Sequence, residues 1–142
     1  MSDERARRIA ELLRSRETMG RDWGIAVEEA RAGYARIACT VGPEMLNGHG
    51  NAHGGALFTL ADTAFAYACN SHGENTVAHA ANINFLSPAK SGDRLIAEAR
   101  ELMRAGRSGS YAVTISTQDG RPVASFHGLS RSLGSAIEGL ED

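Results

Sequence analysis

Residues 54–70 read GGALFTLADTAFAYACN. Ala, Leu, Phe, Tyr and Cys recur there on every side of a 3.6-residue repeat, so the stretch predicts one helix, apolar nearly all the way round. Such a helix is expected to be enclosed by the rest of the fold. Asp62 stands in its middle. A carboxylate is costly to bury without partners, so its place there calls for a chemical reason. Immediately upstream, GPEMLNGHGNAHGG (residues 42–55) is a loop by its Gly and Pro content, and it leads straight into the helix.

Working outward, residues Asp3 to Thr18 suggest a surface helix. Asp3 is placed as its N-cap, and Ala6, Ile9, Ala10 and Leu13 form an apolar face opposite one rich in Arg and Glu. Gly20 and Gly24 mark its end. GIAVEEARAGYARIACTV (residues 24–41) offers two short strands around Ala32-Gly33. Beyond the apolar helix, four segments read as strands: residues 76–88, 93–105, 109–118 and 121–133. AGRSG and QDGR are compact hairpin links between the last three. A surface helix, two strands, a buried helix and four strands suggest an α+β architecture, an antiparallel sheet wrapped around a central helix. No linker or repeat divides the chain, so residues 1–142 are expected to form a single domain.

Composition removes several functional classes. Hydrophobic residues make up 42% of the chain, as in ordinary globular proteins, and the net charge of -2 provides no global positive field for nucleic acid. No run approaches the ~18 apolar residues of a membrane span, and the charged N-terminus lacks the apolar core of a secretory signal. A cytoplasmic location is the default expectation. Cys39 and Cys69 are too few for a disulfide framework and too far apart for a zinc knuckle. His49 and His53 are four apart, but the surrounding glycines do not build a rigid ligand pair and no further ligand stands nearby, so no metal is expected.

MLNGHGNAHGGALFTLADTAFAYACNS (residues 45–71), followed by INFLSPAKSGDRL (residues 83–95), resembles the hotdog-fold acyl-CoA thioesterases of the PaaI type, associated with phenylacetic acid degradation. The likeness spans nearly the whole chain, and the HGG with an Asp eight residues after its first Gly is its most specific part. The resemblance implies a curved sheet around a long helix, dimers sharing a continuous sheet or dimers of dimers, and hydrolysis of acyl-CoA thioesters without a cofactor.

Thioester hydrolysis needs a group to stabilise charge on the carbonyl oxygen and another to deliver water to the carbon. Gly54 suits the first: at a helix start the unpaired N–H groups point outward, and a missing Cβ admits a substrate carbonyl. Asp62 suits the second, as general base or as nucleophile. Eight residues along one helix separate them by ~12 Å at ~1.5 Å per residue. One chain therefore cannot easily bring both to one carbon, whereas antiparallel helices of two subunits can. The resemblance implies the same arrangement.

It also implies roles for other residues. Asn47 would orient water or the carbonyl with an amide that both donates and accepts. His53 would shape the loop or donate near the thioester, and Gly55 would lie beside the substrate. Some relatives carry a Ser on the strand after the helix; that position falls on Ala78 here, which leaves Thr63 as one possible substitute. Arg104, Arg107 and Ser108 in the MRAGRSGS hairpin would meet the coenzyme A phosphates, or else form only a solvated turn. Phe58 and Phe65 are core residues first and acyl-pocket walls if the site lies where placed. His72, His79 and His127 are read as ordinary solvent-facing or sheet histidines. Two rival functions remain in view: a hotdog hydratase or dehydratase pairing His53 with Asp62, and a non-catalytic acyl-CoA-binding module. The leading reading is hydrolysis of small aryl-acyl thioesters such as (hydroxy)phenylacetyl-CoA.

Overall fold

The computed structural model describes residues 2–140. Helix α1 (Ser2–Arg16) buries Ala6, Ile9 and Ala10 completely and turns its Arg/Glu face outward. Asp3 lies within the first turn beside Glu4 and not at the expected cap; both carboxylates still face the positive end of the helix dipole. The helix stops at Arg16, and Gly20 and Gly24 flank a single 3-10 turn, Arg21–Trp23.

Strands β1 (Ala26–Arg31) and β2 (Tyr34–Thr40) form a hairpin closed by Ala32-Gly33. Gly33 has φ +74°, a left-handed conformation that glycine adopts without a Cβ penalty. Helix α2 (Gly54–Asn70) follows, then β3 (Glu74–Phe85), β4 (Arg94–Ala105), β5 (Ser108–Thr117) and β6 (Pro122–Ala136). The expected element order is the observed one. All six strands join one antiparallel sheet in the order β1-β2-β4-β5-β6-β3. β3 therefore crosses from the end of α2 to the far edge, pairing with β6 from Glu74↔Ala136 to Phe85↔Ala124.

The alternation read in β5 holds: Tyr111, Val113 and Ile115 are each 1% exposed, and they pack beneath α2 with Leu95, Ala97, Phe126 and Ile37. From the helix come Leu57, Leu60, Ala61, Ala64, Phe65 and Ala68. Fully burying each Leu or Phe contributes about 1.5–3 kcal/mol, so sheet packing rather than intrinsic propensity holds α2 in place. α1 closes one flank of this core. Its partner there is Tyr67, whose hydroxyl donates to Glu17 Oε1 at 2.5 Å.

Enclosure of α2 is incomplete, contrary to the expectation. Gly55, Phe58, Thr59, Asp62 and Ala66, spaced three and four residues apart, form a stripe that the chain leaves uncovered. That stripe carries the carboxylate.

Candidate active site

The loop before α2 is fastened at both ends. His53 N–H donates to Met45 O at 2.7 Å and Ala52 N–H to Ala89 O at 2.7 Å. Between these, Asn47 Oδ1 accepts from His49 N–H at 2.9 Å and from Asn51 N–H at 3.1 Å. The acceptor half of the Asn47 amide is thus spent on holding the loop. The expected role of Asn47 toward water or the carbonyl therefore rests on its amide N–H₂, which has no partner among the described residues.

His53 occupies the N-cap of α2. Its Nδ1 accepts from Gly55 N–H at 2.8 Å, and its carbonyl accepts from Ala56 N–H at 2.9 Å and Leu57 N–H at 3.0 Å. With Nδ1 accepting, the ring proton sits on Nε2. The imidazole therefore offers a donor and has no free lone pair for base chemistry. Gly54 N–H is left as the amide of the first turn without a partner among the described residues. A helix N-terminus with one free N–H favours a developing oxyanion.

Glycine at position 54 also answers to a neighbour within the chain. A Cβ there would lie 3.1 Å from the ring of Phe85, at the end of β3. The space on that side holds an aromatic ring that is itself 55% exposed. Phe85 was missed in the sequence because it lies more than thirty residues downstream in a strand of unremarkable pattern.

Asp62 makes no hydrogen bond and no ion pair among the described residues, and burial pushes its carboxyl above the ordinary carboxylate value. Two turns on, burial and the Asp62 charge push the Cys69 thiol up to about 12, so Cys69 is a neutral, inert group. Thr63 cannot stand in as a donor for the Ser of other thioesterases. Its hydroxyl donates to Thr59 O at 2.7 Å, inside the helix. Ala78 lies exposed on β3.

Phe65 and Phe58 part ways. Phe65 is 1% exposed, stacked near Tyr111 and Phe126 with ring centroids 5.4 and 5.7 Å away, and pressed against the Cα of Gly128. It is a core residue, and its expected part in lining an acyl pocket is withdrawn. Phe58 meets Phe126 edge-on at 5.5 Å but keeps one side on the uncovered stripe.

At the other end of α2 a cleft of about 270 Å³ brings Cys69 together with Arg104, Arg107 and Ser108 of the β4–β5 hairpin. Behind it lies a cluster that the sequence reading did not find. Glu101 Oε1 accepts from Tyr111 Oη at 2.7 Å, meets His72 Nε2 at 2.7 Å and lies 3.5 Å from Arg104 Nε. Burial alone would raise the Glu101 carboxyl, but the Tyr111 and His72 hydrogen bonds and the Arg104 charge hold it below the usual value. His72 is consequently a paired, half-buried residue and not an ordinary solvent-facing one. His127 bonds Ser110 Oγ at 2.9 Å on the sheet, and His79 is exposed. No cluster of metal-ligating side chains occurs among the described residues, and none of their helices is long and apolar enough to cross a membrane.

Known proteins share both the sequence and the shape. The thioesterase superfamily pattern matches residues 49–124. The acyl-coenzyme A thioesterase PaaI of Escherichia coli (strain K12) is 46% identical over 116 residues, covering 82% of this chain and 83% of that protein. The solved structure of the E. coli PaaI protein from the phenylacetic acid degradation operon superposes with a TM-score of 0.93 at 39% identity, covering 96% of this chain and 99% of that one. A hypothetical thioesterase from Streptococcus pneumoniae TIGR4, solved with coenzyme A, gives a TM-score of 0.77 at 29% identity over 80% of this chain and 92% of that one.

Proposed function

The chain belongs to the thioesterase superfamily and is an acyl-CoA thioesterase, and from this premise we propose that it cleaves aryl-acyl thioesters such as (hydroxy)phenylacetyl-CoA at a site shared by two subunits. One observation carries the reading. The unpartnered carboxylate of Asp62 and the unpartnered N–H of Gly54 belong to one unbroken helix, ~12 Å apart along its axis. Neither finds a complement among the described residues of its own chain.

In the reaction the thioester carbonyl oxygen accepts the Gly54 N–H of one subunit, while Asp62 of the other takes a proton from water. The water oxygen bonds to the carbonyl carbon, and the resulting oxyanion is held at the helix N-terminus. Collapse breaks the C–S bond, and the departing coenzyme A thiolate regains the proton from Asp62. A carboxyl raised by burial is a better base at neutral pH than a solvated one. The cationic cleft at Arg104, Arg107 and Ser108 suits the coenzyme A phosphates. The hydratase alternative is disfavoured because the Nδ1 lone pair of His53 is occupied by Gly55 N–H. A homodimer or dimer of dimers in the cytoplasm accompanies this reading.

Subunit mixing tests it. Proline is well tolerated at the first helical position and removes its N–H, so Gly54→Pro deletes the oxyanion donor and keeps the helix, while its Cβ, 3.1 Å from the exposed Phe85 ring, requires that ring to shift. Gly54→Pro and Asp62→Asn are each expected to be inactive. Co-refolded in equal amounts, they form mixed dimers with one intact shared site, returning about a quarter of the parental turnover if pairing is random. No recovery in mixed dimers would place both groups in a single-chain site and end the proposal.

A further inference from the structure

We infer that the acyl group is received in a second cleft, beside the first turn of α2, and that Met19 and Trp23 of the α1–β1 connection select aromatic acyl groups there. This rests on the reading above and adds the residues that choose the substrate. The cleft holds about 320 Å³ and lies between Met19 and Trp23 on one side, Met45 and Leu46 on another, and Ala56 and Thr59 on the helix floor.

Three features point the same way. First, His53 and Gly55 form its rim, so it opens next to the free N–H of Gly54. Thr59 of its floor belongs to the uncovered stripe, one turn before Asp62. A carbonyl seated at the helix N-terminus would thus direct its acyl substituent here.

Second, the lining chemistry fits a flat ring, with Glu44 the one carboxylate along the cleft. Met and Trp side chains offer polarizable and aromatic surface that favours sulfur–ring and ring–ring contacts beyond simple burial. The Thr59 hydroxyl is turned away, donating to Gly55 O at 2.9 Å. A closed apolar cavity of ~150 Å³ already accepts benzene, so one substituted ring fits with room to spare.

Third, the wall is built in advance. A Cβ on Gly20 would stand 3.1 Å from the indole of Trp23, so glycine lets that ring lie against the backbone. Trp23 also packs on the core, and its carbonyl accepts from Cys39 Sγ at 3.4 Å. Met19, by contrast, is 66% exposed at the lip, an apolar side chain that a bound ring would cover.

The test compares kcat/KM for phenylacetyl-CoA and acetyl-CoA in the full-length protein. Trp23→Ala is expected to lower the aryl value about tenfold and Met19→Glu severalfold, while acetyl-CoA changes less than about twofold in both. Met19 is exposed, so that variant decides the matter even if Trp23→Ala folds poorly. Parallel loss on both substrates, or no change on either, overturns the inference. A parental protein that releases no thiol from phenylacetyl-CoA overturns the underlying aryl reading instead, before any variant is made.

Discussion

β1 and β3 are the two edges of one sheet, yet the chain covers only β1. α1 lies along that strand, and the Arg7 guanidinium donates to the carbonyls of Val27 at 3.2 Å and Glu28 at 3.1 Å, where the register is broken by a bulge. The strand is short and carries Glu28, Glu29 and Arg31, all features that discourage further pairing. β3 is twelve residues long, has no second strand paired to its outer edge among the described residues, and exposes Val77, Ala78, Ala80, Ala81 and Phe85 with no Lys or Arg among its residues. On the α1 side the Tyr67 hydroxyl and the Arg7 guanidinium find partners within the chain. On the open side Asp62 and the Gly54 N–H find none among the described residues, although the Asn70 amide pairs both backbone groups of Thr76 in β3. Bonds completed internally mark where the protein is finished; bonds left open mark where another molecule is expected.

The sharpest way to break this contrast is at Asp62. Asp62→Asn is expected to lower turnover by two to four orders of magnitude in a thiol-release assay while coenzyme A binding persists. Because burial raises this carboxyl, the parental kcat/KM should climb with pH along an acid limb centred above the ordinary carboxylate value of about 3.9. The same shift means that the fold prefers the neutral acid. Its stabilising contribution is present below the unfolded value and lost as pH rises through the folded one, so Asp62→Asn should melt slightly higher than the parent at neutral pH. Near-parental turnover in that variant would remove Asp62 from the chemistry.

Next comes the open edge. Successive N–H groups of a strand point to opposite sides, so of Ala80→Pro and Ala81→Pro one strikes a bond to β6 and the other only the outer edge. The outer one is expected to fold, to elute as a monomer and to lose about a hundredfold in turnover through loss of the shared site. An active monomer would sink the two-subunit reading. The smallest effect belongs to the closed edge. Arg7→Ala should cost about 1 kcal/mol in denaturant unfolding and leave assembly and turnover unchanged.

Much of this architecture was legible in the residues. Glycines at 20, 24 and 33 break the chain where the elements end, and period-two alternation in β5 names its buried face correctly. The HGG loop locates the start of α2 because the cap, His53, and the first helical residue, Gly54, are neighbours in sequence. What escaped was non-local. Phe58 and Phe65 share one helical repeat, and only the rotation of α2 against the sheet put Phe65 on Gly128 and left Phe58 at the surface. His72, Glu101 and Tyr111 lie far apart in sequence and meet only because the α2–β3 turn lands over the β4–β5 pair. The loop bonds of the Asn47 oxygen escaped because an Asx-type acceptor looks, in sequence, like a free amide.

The order of elements, the apolar helix and the isolated acid within it were determined by the sequence alone, since helical period, strand alternation and glycine breaks are set by residues close together in the chain. Tertiary structure decided which edge stays open, which aromatic ring guards Gly54, and which side of α2 faces outward. Those outcomes depend on β3 crossing to β6 and on competition among apolar faces for one core, and no local run of residues encodes the winner.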